Sequence, residues 1–374
     1  MKTKMLSIAA AGLMLFAACK SKTMEQTVDS TGKADSATAD SAAKTIKPTG
    51  PAPAWAPSIK PEMQAVIEKL ASYGDKPIPQ LTAVEARKNH TPTDAVKGLM
   101  TENNVPMPVF NVDTMGKEIP ADGGNIHIRI YTPKTGKAAY PVIVYYHGGG
   151  FVIANLDVYD ASANVLADKT EAVVVSVAYR LAPENKFPVA HNDAFAAYEW
   201  VLKNAASIKG DAKKVAVAGE SAGGNLAINT AIKARDNKIM LPTAILAVYP
   251  VAGADMNTAS YKKNEMAKPL DKAMMMWFVK NYLKSMDQAM DPRINLVAAN
   301  LKGLPPVTII TAEIDPLQSE GMTLADKLKA AGVKVDSKNY DGVTHEFFGM
   351  GAIVPQAKDA EMYAADQLKK AFGM

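Results

Sequence analysis

The sequence predicts an α/β fold built on a largely parallel sheet, and three observations carry that expectation. Short continuous apolar runs at Val142–Tyr146, Ala172–Ala178, Val215–Ala218, Ala244–Tyr249 and Val307–Thr311 read as strands buried on both faces. Helical segments stand between them, and such alternation implies right-handed crossovers within one sheet. Three polar candidates, Ser221, Asp315 and His345, each follow a strand end, the edge of such a sheet where functional groups collect.

Composition narrows the classes. The 374 residues are 48% hydrophobic and 21% charged with a net charge of +4, enough for one large domain or two smaller ones. No basic block is present, which argues against nucleic acid as a partner. A single cysteine excludes an internal disulfide, and the five histidines lack metal-ligand spacing. His345-Glu346-Phe347-Phe348-Gly349 starts like a zinc-binding His-Glu-x-x-His helix but has no second histidine. No metal or cofactor is expected.

At the N-terminus, Lys2 and Lys4 precede the apolar run Met5–Ala18, too short to span a bilayer. It ends in Phe16-Ala17-Ala18-Cys19, so residues 1–18 are expected to be a secretory signal. Lys20–Pro57 is rich in Ser, Thr, Ala, Asp, Lys and Pro and has little apolar mass to offset the entropy of ordering. Residues 19–57 are therefore expected to be a disordered tether, and 58–374 the folded domain.

Within that domain, Pro61–Tyr73 reads as a helix, with Met63, Val66, Ile67 and Leu70 on one face, Pro61 in the first turn and Gly74 past the end. Pro77–Pro108 reads as irregular. Gly116–Ala121 and Asn125–Thr132 form a hairpin about Asp122-Gly123-Gly124. Val142–Tyr146 leads into His147-Gly148-Gly149-Gly150-Phe151. Without a following Gly-Lys-Ser/Thr or a complete G-x-G-x-x-G, three glycines there suit a loop whose amides point into a site rather than a nucleotide cradle. Asp193–Lys203 is a helix. Asp255–Asn300 breaks the alternation with a helix at Asp271–Leu283 carrying Met274, Met275, Met276, Trp277 and Phe278. That cluster suits either core packing or an adaptable cover over an apolar pocket. Lys334–Tyr340 is the last strand and Gln356–Phe372 an amphipathic closing helix.

The stretch Val215–Asn225 holds the chemistry. Gly219-Glu220-Ser221-Ala222-Gly223 lies between a strand and the helix Leu226–Ala234, the pattern of a nucleophile elbow. The turn is too tight for a Cβ at either glycine, and the Ala222 amide opens a helix, where donors are unpaired and negative charge is favoured. A serine hydroxyl needs a base within hydrogen-bond reach and a carboxylate to orient that base. The order Ser221, Asp315, His345 supplies nucleophile, orienter and base, and the amides of Gly148, Gly149 and Ala222 an oxyanion hole.

These motifs resemble the hormone-sensitive-lipase-like family of bacterial carboxylesterases. The resemblance rests on His147-Gly148-Gly149-Gly150, Tyr179-Arg180-Leu181-Ala182-Pro183-Glu184 with Phe187-Pro188, Gly219-Glu220-Ser221-Ala222-Gly223-Gly224, Asp315-Pro316-Leu317 with Glu320-Gly321, and His345. It covers the chain from about Pro61 onward. Such a resemblance implies an eight-stranded α/β-hydrolase sheet with a helical cap, here about 58–110 and 255–300. It implies hydrolysis of small esters with short to medium acyl chains, without a cofactor. Phe151, Met276 and Trp277 are the expected substrate contacts. The signal is similar to that of a bacterial lipoprotein, implying lipidation of Cys19 and a membrane-anchored domain in the cell envelope, or a secreted one if Cys19 is not lipidated. A homodimer is left open. Glu220 stands where many members have Asp, Ala154 where many have Gly, and Glu346 where Gly is common. A deacetylase, an amidase and a non-catalytic binding relative remain as other uses of the same residues, since fold alone does not fix substrate.

Overall fold

The computed structural model describes residues 45–374. Eight strands form one sheet: β1 (Val112–Ala121), β2 (Gly124–Pro133), β3 (Tyr140–Tyr146), β4 (Val173–Ala178), β5 (Gly210–Glu220), β6 (Ile245–Val248), β7 (Val307–Ile314) and β8 (Val335–Thr344). Their spatial order is β1-β2-β4-β3-β5-β6-β7-β8. β1 and β2 are an antiparallel hairpin, β2 joins β4 antiparallel, and the pairings from β4 through β3 to β8 are all parallel. The expected fold class is therefore the one observed.

Strand sequence explains the placement. Every residue of β3 is buried, and Val144 sits between Val175 of β4 and Val217 of β5. Successive side chains of a strand point to opposite faces, so β3 feeds two cores. Val142, Val144 and Tyr146 pack on one face with α5 (Val189–Asn204) and α6 (Ala222–Asp236). Ile143 and Tyr145 pack on the other with α4 (Asp160–Thr170) and α10 (Pro355–Phe372).

Three helices lie N-terminal to the sheet: α1 (Pro61–Ser72), α2 (Ala83–Ala86) and α3 (Pro92–Glu102). Between β6 and β7 stand α7 (Ala259–Lys263) and α8 (Lys272–Tyr282), and α9 (Gln318–Ala330) follows β7. α1 and α3 pack on each other, and α8 lies against the short turn Ile78–Gln80.

Two expectations need correction. Residues 77–108 are not irregular, because α2 and α3 fall there. Each starts from a reciprocal cap, Thr82 with Glu85 and Thr91 with Asp94, which satisfies two otherwise orphaned amides. The end of the expected tether also packs onto the domain. Ile46 and Ala56 are buried, and Glu68 of α1 accepts hydrogen bonds from the Thr49 amide and hydroxyl at 2.5 and 2.7 Å. Four prolines, at 48, 51, 53 and 57, restrict this piece before it docks, which lowers the entropy lost on ordering. The expected signal, Cys19 and the first part of the tether lie outside the described residues.

Candidate active site

Ser221 stands between the last residue of β5 and the first of α6, with φ of 56° and ψ of −116°. This is strained backbone for a non-glycine residue, worth roughly 1–3 kcal/mol. The surroundings hold it there. The Ser221 amide donates to the Val248 carbonyl at 2.9 Å, and its own carbonyl accepts from the Val251 amide at 3.1 Å. A Cβ at Gly219 would fall inside the Gly223 carbonyl, and one at Gly223 inside the Tyr146 carbonyl. Both elbow glycines are therefore required by backbone approach.

The structure brings the three dispersed candidates together. His345 Nε2 is 3.0 Å from Ser221 Oγ, and His345 Nδ1 is 2.7 Å from Asp315 Oδ2. Asp315 Oδ1 accepts the Leu317 amide at 2.8 Å, so its carboxylate is held from both ends. All three are buried. Burial alone would lower the His345 pKa, but the charge and hydrogen bond of Asp315, helped by Glu346 and Glu220, hold it above the ordinary imidazole value. The imidazolium formed when His345 takes a proton is thus stabilised where it forms.

Beneath the elbow, Glu220 is fully buried and accepts hydrogen bonds from the hydroxyls of Tyr145, at 2.5 Å, and Tyr249. Burial pushes its carboxyl up to about 8. Glu320 takes the Ala252 and Gly253 amides on one oxygen at 2.7 and 3.1 Å, and burial pushes it to about 8 as well. His147 donates its Nδ1–H to the Gly148 carbonyl at 2.8 Å and stacks on Tyr179 at 4.3 Å. Burial lowers it to about 4, leaving it neutral at physiological pH. Gly149 and Gly150 have φ of 95° and 59°, which glycine adopts freely. The Ala222 amide opens the α6 N-terminus, whose dipole favours developing negative charge.

Ser221 and His345 open into a cavity of about 640 Å³, also lined by Gly149, Gly150, Ile67, Leu70, Ile78, Met274, Met275 and Phe278. None of the three expected substrate contacts lines it. Phe151 is buried and stacks on Tyr282 at 4.1 Å. Trp277 donates its Nε1–H to the Leu81 carbonyl at 3.0 Å, and Met276 points to solvent with 58% exposure. The reason is helical phase: positions 274, 275 and 278 share one face of α8, and 276 and 277 turn away from it.

Other site residues carried no local signal. Arg87, just after α2, donates to the Val152 carbonyl at 2.9 Å and the Ala182 carbonyl at 2.7 Å, and pairs with both oxygens of Glu184. It ties α2 to the glycine loop and to the Tyr179–Glu184 segment. His191 bonds Tyr282 and Asn225, and burial lowers its pKa to about 4. Among the described residues no group of three or more His, Cys, Asp or Glu converges as a metal site.

Residues 143–349 match the family described as having the alpha/beta hydrolase fold. A carboxylesterase of Mycobacterium tuberculosis is 39% identical over 66% of this chain and 79% of its own length. An ethyl acetate hydrolase of Pseudomonas putida is 32% identical over 67% of this chain and 80% of its own. The crystal structure of a thermostable esterase from Pseudomonas putida superposes with a TM-score of 0.77 at 33% identity, covering 85% of this chain and 99% of that one.

Proposed function

The chain belongs to the α/β-hydrolase fold family and is a carboxylic ester hydrolase, and from that premise we propose that Ser221 is its nucleophile, His345 its general base and acid, and Asp315 the group that orients the imidazole. The carrying observation is the pair of hydrogen bonds at His345, with Nε2 3.0 Å from Ser221 Oγ and Nδ1 2.7 Å from Asp315 Oδ2, at the floor of an apolar cavity.

In this reading Ser221 Oγ attacks the ester carbonyl as His345 Nε2 takes its proton. The oxyanion points to the amides of Gly148, Gly149 and Ala222. One such donor is worth roughly 3 kcal/mol. His345 then protonates the leaving alcohol, and water releases the acyl group from Ser221 by the same steps in reverse. The neutral His147 beneath the glycine loop adds no positive charge to the site.

The cap consists of the segments about 58–110 and 255–300, which supply Ile67, Leu70, Ile78, Met274, Met275 and Phe278 to the cavity. A methionine-lined chamber of this size favours small esters with short to medium acyl chains. Turnover of p-nitrophenyl esters from acetate to laurate tests this with the full-length chain. Turnover is expected to fall with the longer chains. Ser221→Ala is expected to lose about four orders of magnitude or more with unchanged melting. Wild-type turnover in that variant would remove Ser221 from its role, and a folded wild type idle on every length would favour a selective deacetylase.

The same proposal places the domain at the bacterial cell envelope, tethered by lipid on Cys19. The support is the sequence Phe16-Ala17-Ala18-Cys19 after an apolar run, with the chain's one cysteine at that position. Metabolic labelling with a fatty acid should mark the wild type and not Cys19→Ser. An unlabelled wild type would sink the tether.

A further inference from the structure

Glu346 is a costly residue for its place. Its φ is 68°, a left-handed conformation that favours glycine. Its side chain is largely buried, and the exposed fifth faces the cavity that holds Ser221 and His345. Among the described residues one group donates to its carboxylate, the Tyr159 hydroxyl, at 2.6 and 2.7 Å from the two oxygens. A carboxylate has room for about four donors. Its Oε1 also lies 3.9 Å from His345 Nε2, the nitrogen that faces Ser221. Strain and a sparsely satisfied buried carboxylate together mark a functional position.

The separation between the two side chains suits a bridging water. A water about 2.8 Å from both His345 Nε2 and Glu346 Oε1 fits a 3.9 Å gap. In the free protein Nε2 is engaged with Ser221 Oγ. Once Oγ carries the acyl group, Nε2 is released to bind that water. We propose that Glu346 is a further catalytic residue of the second half-reaction, accepting one hydrogen of the attacking water while His345 takes the other. The water oxygen forms the bond to the acyl carbon as its first proton passes to Nε2. Its second hydrogen stays bonded to oxygen and directed at Glu346. Collapse breaks the acyl carbon–Oγ bond, the proton on Nε2 returns to Ser221 Oγ, and the carboxylic acid leaves. Glu346 gains no proton over the cycle.

This inference rests on the proposed acyl-enzyme at Ser221, and the test separates the two. Methanol offers a single hydroxyl hydrogen, which goes to His345 and leaves Glu346 nothing to accept. Hydrolysis should therefore depend on Glu346 and methanolysis should not. With p-nitrophenyl butyrate and a fixed methanol concentration, Glu346→Gln keeps an oxygen for the Tyr159 hydroxyl but loses the charge. Its ratio of methyl ester to free acid should rise about tenfold, one lost hydrogen bond to a charged group. A burst of p-nitrophenol should also appear as release of the acyl group becomes limiting. Glu346→Gly, unstrained at this φ, should raise the ratio in the same direction. An unchanged ratio in both variants overturns the proposal and leaves Glu346 as a strap to Tyr159, which would slow both nucleophiles alike. Absence of methyl ester from the wild type, with turnover surviving Ser221→Ala, would instead overturn the acyl-enzyme itself.

Discussion

The floor and the roof of the cavity are held by different physics. The floor is backbone. Ser221 is fixed by main-chain hydrogen bonds to Val248 and Val251, and its flanking glycines touch carbonyls with no room for a methyl group. Asp315 and His345 follow parallel strands whose register is set along β7 and β8. The roof is side chain. Ile67, Met274, Met275 and Phe278 meet across a cavity; the Trp277 indole pins the two segments to each other, and Arg87 pins one of them to the rest. Catalytic geometry thus depends on a region that cannot shift without breaking the sheet, and substrate fit on one that can repack. Backbone-set positions tolerate no change, because close-packed main chain has nowhere to go.

The largest effect that distinguishes the two regions is expected from Gly223→Ala. The added methyl would sit inside the Tyr146 carbonyl, a backbone atom of the central strand β3. Either the elbow or the strand must move. A loss of roughly 3 kcal/mol or more of stability is expected, together with loss of esterase activity. Thermal melting and p-nitrophenyl acetate turnover measure both. A variant that melts like wild type and still turns over would show that the floor can repack as the roof does, and the contrast would fail.

This division also explains what could be read from the chain. The sheet, the order Ser221, Asp315, His345 and the elbow were legible because each depends on local signals: a buried apolar run, a glycine that must be glycine, a residue just past a strand end. The roof was only partly legible. The α8 segment was recognised, but the contacts were assigned to Met276 and Trp277, whereas Met274, Met275 and Phe278 face the cavity. Amphipathic phase decides this, and α8 has apolar residues all round, so the pattern does not mark an inward face. α2 and α3 were missed although Thr82-x-x-Glu85 and Thr91-x-x-Asp94 announce them, because scattered prolines read as irregular structure. Arg87 had no local mark, since its partners Val152, Ala182 and Glu184 lie 65 to 97 residues away. Phe151, also expected as a substrate contact, instead turns inward with a left-handed φ of 63° and stacks on Tyr282.

A smaller effect, and a finer test of the contrast, is expected from Arg87→Met. Arginine here makes a planar fork onto Glu184 while sending two further N–H groups to the Val152 and Ala182 carbonyls. Methionine keeps the apolar stem and loses every donor. The pair with Glu184 is half exposed and contributes little by itself. The two carbonyls matter more, because Val152 follows the glycine loop and Ala182 belongs to the segment packed beneath it. Losing these bonds costs about 1–2 kcal/mol, since both carbonyls belong to buried residues. The expected outcome is a melting temperature a few degrees lower, a KM raised several-fold and a kcat close to wild type, since the hydrogen bonds of His345 to Ser221 and Asp315 do not involve Arg87. Arg87→Lys should recover only part of the loss, because an ammonium cannot reproduce the fork. A fall in kcat equal to the rise in KM would mean that the roof also sets the oxyanion loop, and that floor and roof act as one unit.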